Sequence, residues 1–359
     1  MEMKLKATIG VLAILLIGSW IFVLSDCDKR LRTEDNNYVN TGSTVTKKEV
    51  LESGVKIREV SLAETVSQNI NIKRINCANP TQEDIELIGK MINLEELNLS
   101  YFTSEIDLSP LGSLTHLKKL SLVVAQDAET DTRPLASLQQ LEDIYIEGRI
   151  DLVFLEELDN LKEVVLNRNS IEDLSTFQHM EKLEKLDIHC VDHADFQELG
   201  ELKRLRSVNL YIYQSMENIE YLGNLSNLSS LYIESGVRSD KKTVNLKFLK
   251  NLVSLRNLSI KNIKLEGLET ISELTSLENL TLSNVVSVES KLDLEPIGKL
   301  EYLEYLCLEN MKLESLELLK ALKHLEHLKI SGTDIGKKTR EELELYLFYV
   351  DIEVDGVQG

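Results

Sequence analysis

Residues 161–188 read LKEVVLNRNSIEDLSTFQHMEKLEKLDI and contain two apolar periods in succession. The stretch opens on the phrase Leu-x-x-aliphatic-x-aliphatic, formed by Leu161, Val164 and Leu166. Its last two aliphatic residues are two positions apart, as in a β-strand with one buried face. Apolar residues then recur at every third position, a spacing that predicts a short 3₁₀ or irregular helical turn: Leu174, Phe177, Met180 and Leu183. The phrase begins again at the last of these residues, so the stretch predicts a repeating unit of strand, turn and short helix.

The same phrase occurs eleven times between residues 94 and 330, and aliphatic residues fill all of its key positions. The first leucines of the copies are 20 to 27 residues apart: Leu94, Leu117, Leu141, Leu161, Leu183, Leu205, Leu228, Leu255, Leu277, Leu303 and Leu325. One such unit cannot bury its apolar side alone, whereas stacked units share a continuous core. The repeat therefore predicts a solenoid in which the strands of successive units form a parallel sheet.

The phrase and its period resemble the leucine-rich repeat superfamily, and within it the 22-residue subclass of bacterial internalins and phosphatase-regulating repeat proteins. The resemblance covers roughly residues 67–352. It implies a curved α/β solenoid with a parallel β-sheet on the concave face and short 3₁₀ or α segments on the convex face. We expect about eleven clear repeats and degenerate ones at the ends. One position departs from the family pattern: the ninth residue of the phrase, normally Asn, is clearly Asn only at Asn169.

The two ends of an open solenoid expose its core and need caps. We predict an N-terminal cap at residues 49–66, repeats at residues 67–336 and a C-terminal cap at residues 337–359. A first, degenerate strand is expected at Ile70-x-Ile72. The C-terminal cap is predicted to contain an amphipathic helix, Lys337–Leu345, and a last strand with the phrase Leu347, Val350 and Ile352.

The N-terminal segment is apolar: the eighteen residues Ala7–Leu24 carry no charge and reach about 27 Å as a helix, at ~1.5 Å per residue. We therefore predict a short tail at residues 1–6, a transmembrane signal anchor at residues 7–25 and a polar juxtamembrane tether at residues 26–48. The protein is then a single-pass membrane protein with its repeats outside the cytoplasm. The alternative is a cleaved signal peptide and a secreted protein or lipoprotein, because the residues up to Cys27 resemble a bacterial lipobox.

Composition argues against several partners and sites. The formal net charge is −20, the pI is near 4.8 and no basic patch occurs, so a nucleic-acid partner is not expected. No motif such as GxSxG, HExxH or a P-loop is present, so we expect neither an enzyme nor a cofactor. The four cysteines are far apart and predict neither a disulfide framework nor a zinc ribbon: Cys27, Cys77, Cys190 and Cys307.

The concave face carries the candidate binding residues. In each strand phrase, the third, fifth and seventh positions alternate with the buried aliphatic residues and point outward. Side chains from different repeats then lie side by side, because neighbouring strands are about 4.8 Å apart. Tyrosines are frequent anchors of protein interfaces, and the central repeats predict a cluster of three with polar residues around them. These ligand-binding candidates are Tyr145, Asp187, His189, Asn209, Tyr211 and Tyr232.

These observations predict a non-enzymatic, membrane-anchored leucine-rich repeat protein, bacterial in origin, that binds a protein or surface ligand of unidentified nature through its concave face. One alternative is an intracellular scaffold or regulatory subunit of the phosphatase-regulator type. A second alternative is a metal-dependent enzyme, with zinc or another transition ion held by Asp187, His189, Cys190 and His193. The alternation of side chains along a strand argues against this metal site, since successive residues point to opposite faces.

Overall fold

The computed structural model describes residues 71–332, with gaps at 104, 126–129, 170, 237–242, 289–292 and 312–316. It also describes residues 37–38, 44–51, 54–61, 63, 66, 341 and 350–355. The predicted membrane segment at residues 7–25 lies outside these ranges, and so does the predicted helix Lys337–Leu345 apart from Glu341. Within the described part of the chain, no helix is long and apolar enough to cross a membrane.

The described N-terminal residues form a small antiparallel sheet. Strand β1 (Asn37–Tyr38) pairs with β2 (Thr44–Leu51), which pairs in turn with β3 (Gly54–Ser61). The boundary drawn at residue 48 between tether and cap falls inside β2. Polar composition conceals this strand, but its threonines and valines favour the extended backbone.

Thirteen of the described strands form one sheet in which all neighbours are parallel and follow one another in chain order. They are β4 (Arg74–Ala78), β5 (Glu96–Phe102), β6 (Lys119–Val124), β7 (Asp143–Glu147), β8 (Glu163–Asn167), β9 (Lys185–Asp195), β10 (Ser207–Glu217), β11 (Ser230–Ser235), β13 (Asn257–Lys261), β15 (Asn279–Ser283), β17 (Tyr305–Glu309), β18 (His327–Ser331) and β19 (Asp351–Asp355). Three shorter strands form a second parallel sheet beside the later repeats: β12 (Thr243–Asn245), β14 (Lys264–Glu266) and β16 (Val286–Ser287).

The eleven predicted phrases all form strands of the large sheet, namely β5–β11, β13, β15, β17 and β18. Their register aligns equivalent positions of neighbouring repeats: Leu186 lies opposite Val164 on one side and opposite Val208 on the other. The first, fourth and sixth positions of all eleven phrases are at most 3% exposed. The apolar phrase therefore builds one continuous core, and the predicted solenoid is confirmed.

The terminal strands differ from the prediction. Ile75 and Cys77 lie opposite Leu97 and Leu99, so the first described strand of the large sheet is at residues 74–78. Ile72 lies outside this strand, and Ile70 lies outside the described residues. A thiol takes one aliphatic position of β4, and this substitution hides the phrase in the sequence. At the other end, Ile352 lies opposite Leu328, 24 residues away, so the predicted register of the last strand is wrong by two residues.

Short helices form the convex side. The one α-helix described in full, α1 (Gln82–Ile88), begins after Thr81, which forms a capping box with Asp84. The described 3₁₀ helices of later repeats are η1 (Ser109–Ser113), η2 (Arg133–Ser137), η3 (Val153–Glu157), η4 (Ser175–Phe177), η5 (Ile219–Asn224), η6 (Leu246–Asn251), η7 (Leu268–Glu273), η8 (Glu295–Lys299) and η9 (Glu317–Ala321). The apolar residues with period three around them, such as Leu108 and Leu111, are buried. This pattern confirms the predicted 3₁₀ turns.

Several strands end before a left-handed residue at the eighth position of the phrase, whereas Tyr101, with a φ of 61°, lies inside β5 at a register shift. Asn262, Asn284 and Asn310 occupy the eighth position in three consecutive repeats with φ of 59°, 52° and 52°, a left-handed conformation that Asn tolerates better than most residues. The equivalent residues of two central repeats, Cys190 and Ile212, lie within strands, and β9 and β10 each extend to 11 residues. The sheet is therefore longest across β9 and β10.

The ninth position shows how neighbouring turns are joined. Asn169 is buried, and its Nδ2 donates a hydrogen bond to the carbonyl of Ile150, one turn earlier, at 3.1 Å. In other repeats this position is filled by buried apolar side chains, including Phe102, Val191 and Ile263. Apolar packing thus replaces the asparagine hydrogen bond in those repeats.

Candidate binding face

We define the concave face as the outward side of the thirteen-stranded sheet, formed by the third, fifth and seventh positions of the strand phrases. The register of five consecutive strands, β7 to β11, sets the fifth positions side by side in one row. From β7 to β11 the row reads Tyr145, Val165, Asp187, Asn209 and Tyr232. The repeat phrase predicts this order of neighbours.

Tyr145 lies at one end of this row, four strands from Tyr232, or about 19 Å at ~4.8 Å per strand. Its hydroxyl donates to Glu147 Oε2 at 2.8 Å and accepts from Asn167 Nδ2 at 3.1 Å. The guanidinium of Arg168 lies 3.7 Å from the same carboxylate. Tyr145 therefore belongs to a polar group separate from Tyr211 and Tyr232, and its role in binding stays a prediction.

Tyr232, on β11, contacts Glu234 and Lys261. Its hydroxyl donates to Oε2 of Glu234, and the other oxygen of that carboxylate, Oε1, accepts from Asn262 Nδ2 at 3.1 Å. The Nζ atom of Lys261 lies 5.1 Å from the centre of the ring, within cation–π range. Burial, and next the hydrogen bond to Glu234, raise the pKa of Tyr232. The phenol therefore stays protonated at neutral pH and acts as the donor.

Tyr211, on the neighbouring strand β10, contacts Tyr213 with ring centres 4.9 Å apart and an interplanar angle of 58°. Gly236 lies beside the two rings, and a β-carbon there would be 2.8 Å from the Tyr211 ring. Sequence reasoning missed Tyr213, which is 44% exposed, because a turn was expected at its position and β10 continues through it. The two-residue spacing of Tyr211 and Tyr213 is the sequence signal that would have indicated a continuing strand. Lys261 was also missed, since only the register places it over Tyr232.

Asp187 and His189 lie on β9 beside these tyrosines. Oδ1 of Asp187 is 3.3 Å from Nε2 of His189, and the two side chains are 17% and 28% exposed. This contact lacks the alignment of a hydrogen bond, so the buried Oδ1 atom has no hydrogen-bond partner. A bulge in β9 after Ile188 sets two residues, His189 and Cys190, opposite Tyr211. The face therefore contains a carboxylate oxygen that the protein itself leaves unsatisfied.

The candidate metal ligands diverge. Nδ1 of His193 lies 2.8 Å from the hydroxyl of Ser215 on β10, away from the contact between Asp187 and His189. Cys190 is a half-buried free thiol. Among the described residues, which include all four candidates, no three His, Cys, Asp or Glu side chains are placed to hold one metal ion. The alternative metal site lacks the geometry it needs, because residues along one extended strand point apart.

The third positions form a row of ion pairs between neighbouring strands. Examples are the pair of Lys119 with Asp143 and the pair of Lys185 with Glu163, whose atoms are 2.5 Å apart. Exposed pairs of this kind stabilise a fold by roughly 0–1 kcal/mol each, but they neutralise the charge of this row. The other carboxylates of the central concave face lie in the fifth and seventh positions, and they are Glu147, Asp187 and Glu234.

No protein-family model and no curated protein sequence matches the chain. The chain is similar to the structure of an internalin, InlF, from Listeria monocytogenes, with a TM-score of 0.61 and 21% identity over 84% of this chain and 86% of that one. It is also similar to TLR13 in a complex with ssRNA13, with a TM-score of 0.54 and 17% identity over 78% of this chain and 50% of that one.

A third similar structure is the ectodomain of the plant membrane receptor kinase GASSHO1/SCHENGEN3 from Arabidopsis thaliana, in a complex with CASPARIAN STRIP INTEGRITY FACTOR 2. Its TM-score is 0.51, with 16% identity over 72% of this chain and 36% of that one. The two complexes contain different ligands, so the likeness establishes the fold and not the ligand. With its parallel sheet on one side and its 3₁₀ turns on the other, this protein is a leucine-rich repeat solenoid.

Proposed function

We propose that this protein is a non-enzymatic, membrane-anchored binding protein whose leucine-rich repeats recognise a protein ligand outside the cytoplasm. The observation that carries the proposal is the adjacency of Asp187, Asn209, Tyr211 and Tyr232 on β9 to β11. These strands form the central part of the concave face.

The chemistry of this surface suits a protein partner. Tyrosine offers a large, rigid contact area at little cost in side-chain entropy, and polar neighbours can fix the orientation of a partner. Tyr211 and Tyr232 are only partly buried, so a partner would cover the rest of their rings. Tyr232 is already held by Glu234, which lowers the entropy that is lost on binding. The net charge of −20 disfavours a phosphate backbone as the partner.

Membrane anchoring through residues 7–25 is tested by protease treatment of intact cells. We expect external protease to degrade the repeats while a cytoplasmic marker stays intact, because the uncharged segment would hold residues 26–359 outside. Deletion of residues 1–25 should move the protein to the soluble fraction. Protected repeats, or full-length protein in the cytosol, would instead support the intracellular scaffold.

Truncation of the two neighbouring tyrosines tests the binding face. In Tyr211→Ala and Tyr232→Ala, we expect the affinity for a partner captured by pull-down to fall by about 2 kcal/mol or more, roughly 30-fold. The reason is that each change removes a large contact surface and leaves the aliphatic core intact. Calorimetric titration of the purified partner measures the loss. Tyr145→Ala should have a smaller effect, because Tyr145 lies about 19 Å away at ~4.8 Å per strand.

A control must lie on the same face but outside this group. Thr281, at the fifth position of β15 two strands beyond β11, meets this requirement, and Thr281→Ala should leave affinity unchanged. Lys261 does not meet it, since its ammonium group lies over the Tyr232 ring. Wild-type affinity in both tyrosine variants would reject β9 to β11 as the binding face.

A further inference from the structure

We infer that the concave face at β9 to β11 receives a cationic side chain, Lys or Arg, of a protein partner, and that Asp187 is its acceptor. The inference rests on the proposed function and specifies the chemistry of the partner. It combines an unsatisfied carboxylate without a paired Lys or Arg and aromatic rings within reach.

One carboxylate oxygen of Asp187 lacks a hydrogen-bond donor. Its Oδ1 atom is buried without a hydrogen-bond partner, and Nε2 of His189 lies 3.3 Å away without suitable alignment. A buried polar atom without a partner is unfavourable, whereas a hydrogen bond to a charged group is among the stronger ones in proteins. Oδ1 itself is closed to solvent, but the Asp187 side chain is 17% exposed, so an ammonium or guanidinium group of a ligand would contact the exposed part of the carboxylate and compensate its charge.

Carboxylates are the charged side chains at the fifth and seventh positions around Asp187. The fifth and seventh positions of β7 to β11 hold three carboxylates, Glu147, Asp187 and Glu234, and no Lys or Arg. Glu147 and Glu234 each accept a hydrogen bond from a tyrosine hydroxyl. Asp187 lies between them on the middle strand, and among the described residues no Lys or Arg forms an ion pair with it. Arg168 lies 3.7 Å from Glu147 and Lys261 lies beside Tyr232, so the carboxylate charge without a neighbouring Lys or Arg is that of Asp187. The net charge of −20 would speed the approach of a basic partner.

A cation of the protein itself, Lys261, lies beside the site. Lys261 places its ammonium group 5.1 Å from the centre of the Tyr232 ring, so this face already accommodates a cation over an aromatic ring. Asp187 and Tyr232 are two strands apart, about 10 Å at ~4.8 Å per strand. A partner segment that crosses the strands would place its cation at Asp187 while its flanking residues contact Tyr211 and Tyr232.

The test compares two variants that remove the same charge from the full-length protein in a non-ionic detergent. Asp187→Asn neutralises the proposed acceptor, and Asp159→Asn neutralises an exposed carboxylate in the turn before β8. The probes are capped hexalysine and hexaarginine, with hexaglutamate as a reference. We expect the affinity for both basic probes to fall about tenfold in Asp187→Asn and at most about twofold in Asp159→Asn.

Several results would overturn the inference. Equal losses in the two variants would mean that overall charge attracts the probes, and the absence of saturable binding to either basic probe would exclude the site. A lower Tm for Asp187→Asn would indicate a structural role, since we expect removal of a carboxylate whose buried oxygen lacks a hydrogen-bond donor to keep or raise Tm. If Asp187→Asn still binds the basic probes like the wild type while the tyrosine variants lose the captured partner, the inference fails and the proposed function stands. If the probes depend on Asp187 but the partner ignores the tyrosines, the proposed function fails instead.

Discussion

Replacement of Leu186 by Asp is expected to destabilise the solenoid by about 4 kcal/mol or more. Leu186 is fully buried on β9, between Val164 on β8 and Val208 on β10. The new carboxylate would have no cation and no water in this apolar layer, and the cost of burying it unpaired determines the size of the effect. Because each repeat packs only on its neighbours, the damage should be centred on β8 to β10.

Two measurements check this result. Urea unfolding monitored by circular dichroism gives the loss of stability, and hydrogen exchange shows whether amides of β8 and β10 open faster than those of β17 and β18. The matched control is Glu184→Ala, which removes an exposed partner of Arg206 with 3.6 Å between the charged atoms. Its cost should not exceed about 0.5 kcal/mol. Comparable losses in both variants would show that the register of β9 is wrong.

Replacement of Phe102 by Ala is expected to cost about 3–5 kcal/mol. Phe102 fills the ninth position of the first clear repeat, where the family normally has Asn, and it is almost completely buried opposite Val124. An apolar side chain joins the turns here, so truncation leaves a cavity that the neighbouring repeats cannot fill without moving. Thermal and urea unfolding of the purified variant measure the loss.

The adjacent residue provides the control for Phe102→Ala. Tyr101 is 61% exposed and has a left-handed φ of 61°. Asn adopts this conformation more easily than Tyr, so Tyr101→Asn should leave stability unchanged or raise it slightly. A loss below about 1 kcal/mol for Phe102→Ala would contradict the view that apolar packing replaces the asparagine hydrogen bond in this repeat.

The sequence by itself determined the repeat, the core and the order of neighbours on the sheet. A leucine phrase with a constant spacing fixes which side chains face inward, as Leu186 and Val208 illustrate, and it therefore fixes which ones share the outer row. The 3₁₀ turns followed from the period of three for the same reason. The subclass of the repeat, the membrane segment and the ligand stay predictions.

Only the tertiary structure decided the ends of the strands and the contacts between side chains. Strand β13 ends before the left-handed Asn262, whereas β10 continues through Ile212 at the same position of the phrase. The contact of Lys261 with Tyr232, the separation of Tyr145 and the unsatisfied oxygen of Asp187 depend on rotamers and spacing between residues that are remote in the chain. Periodicity encodes the face on which a side chain lies, because it is a local property of the backbone. It does not encode which partner that side chain contacts across neighbouring strands, since that depends on how the repeats stack.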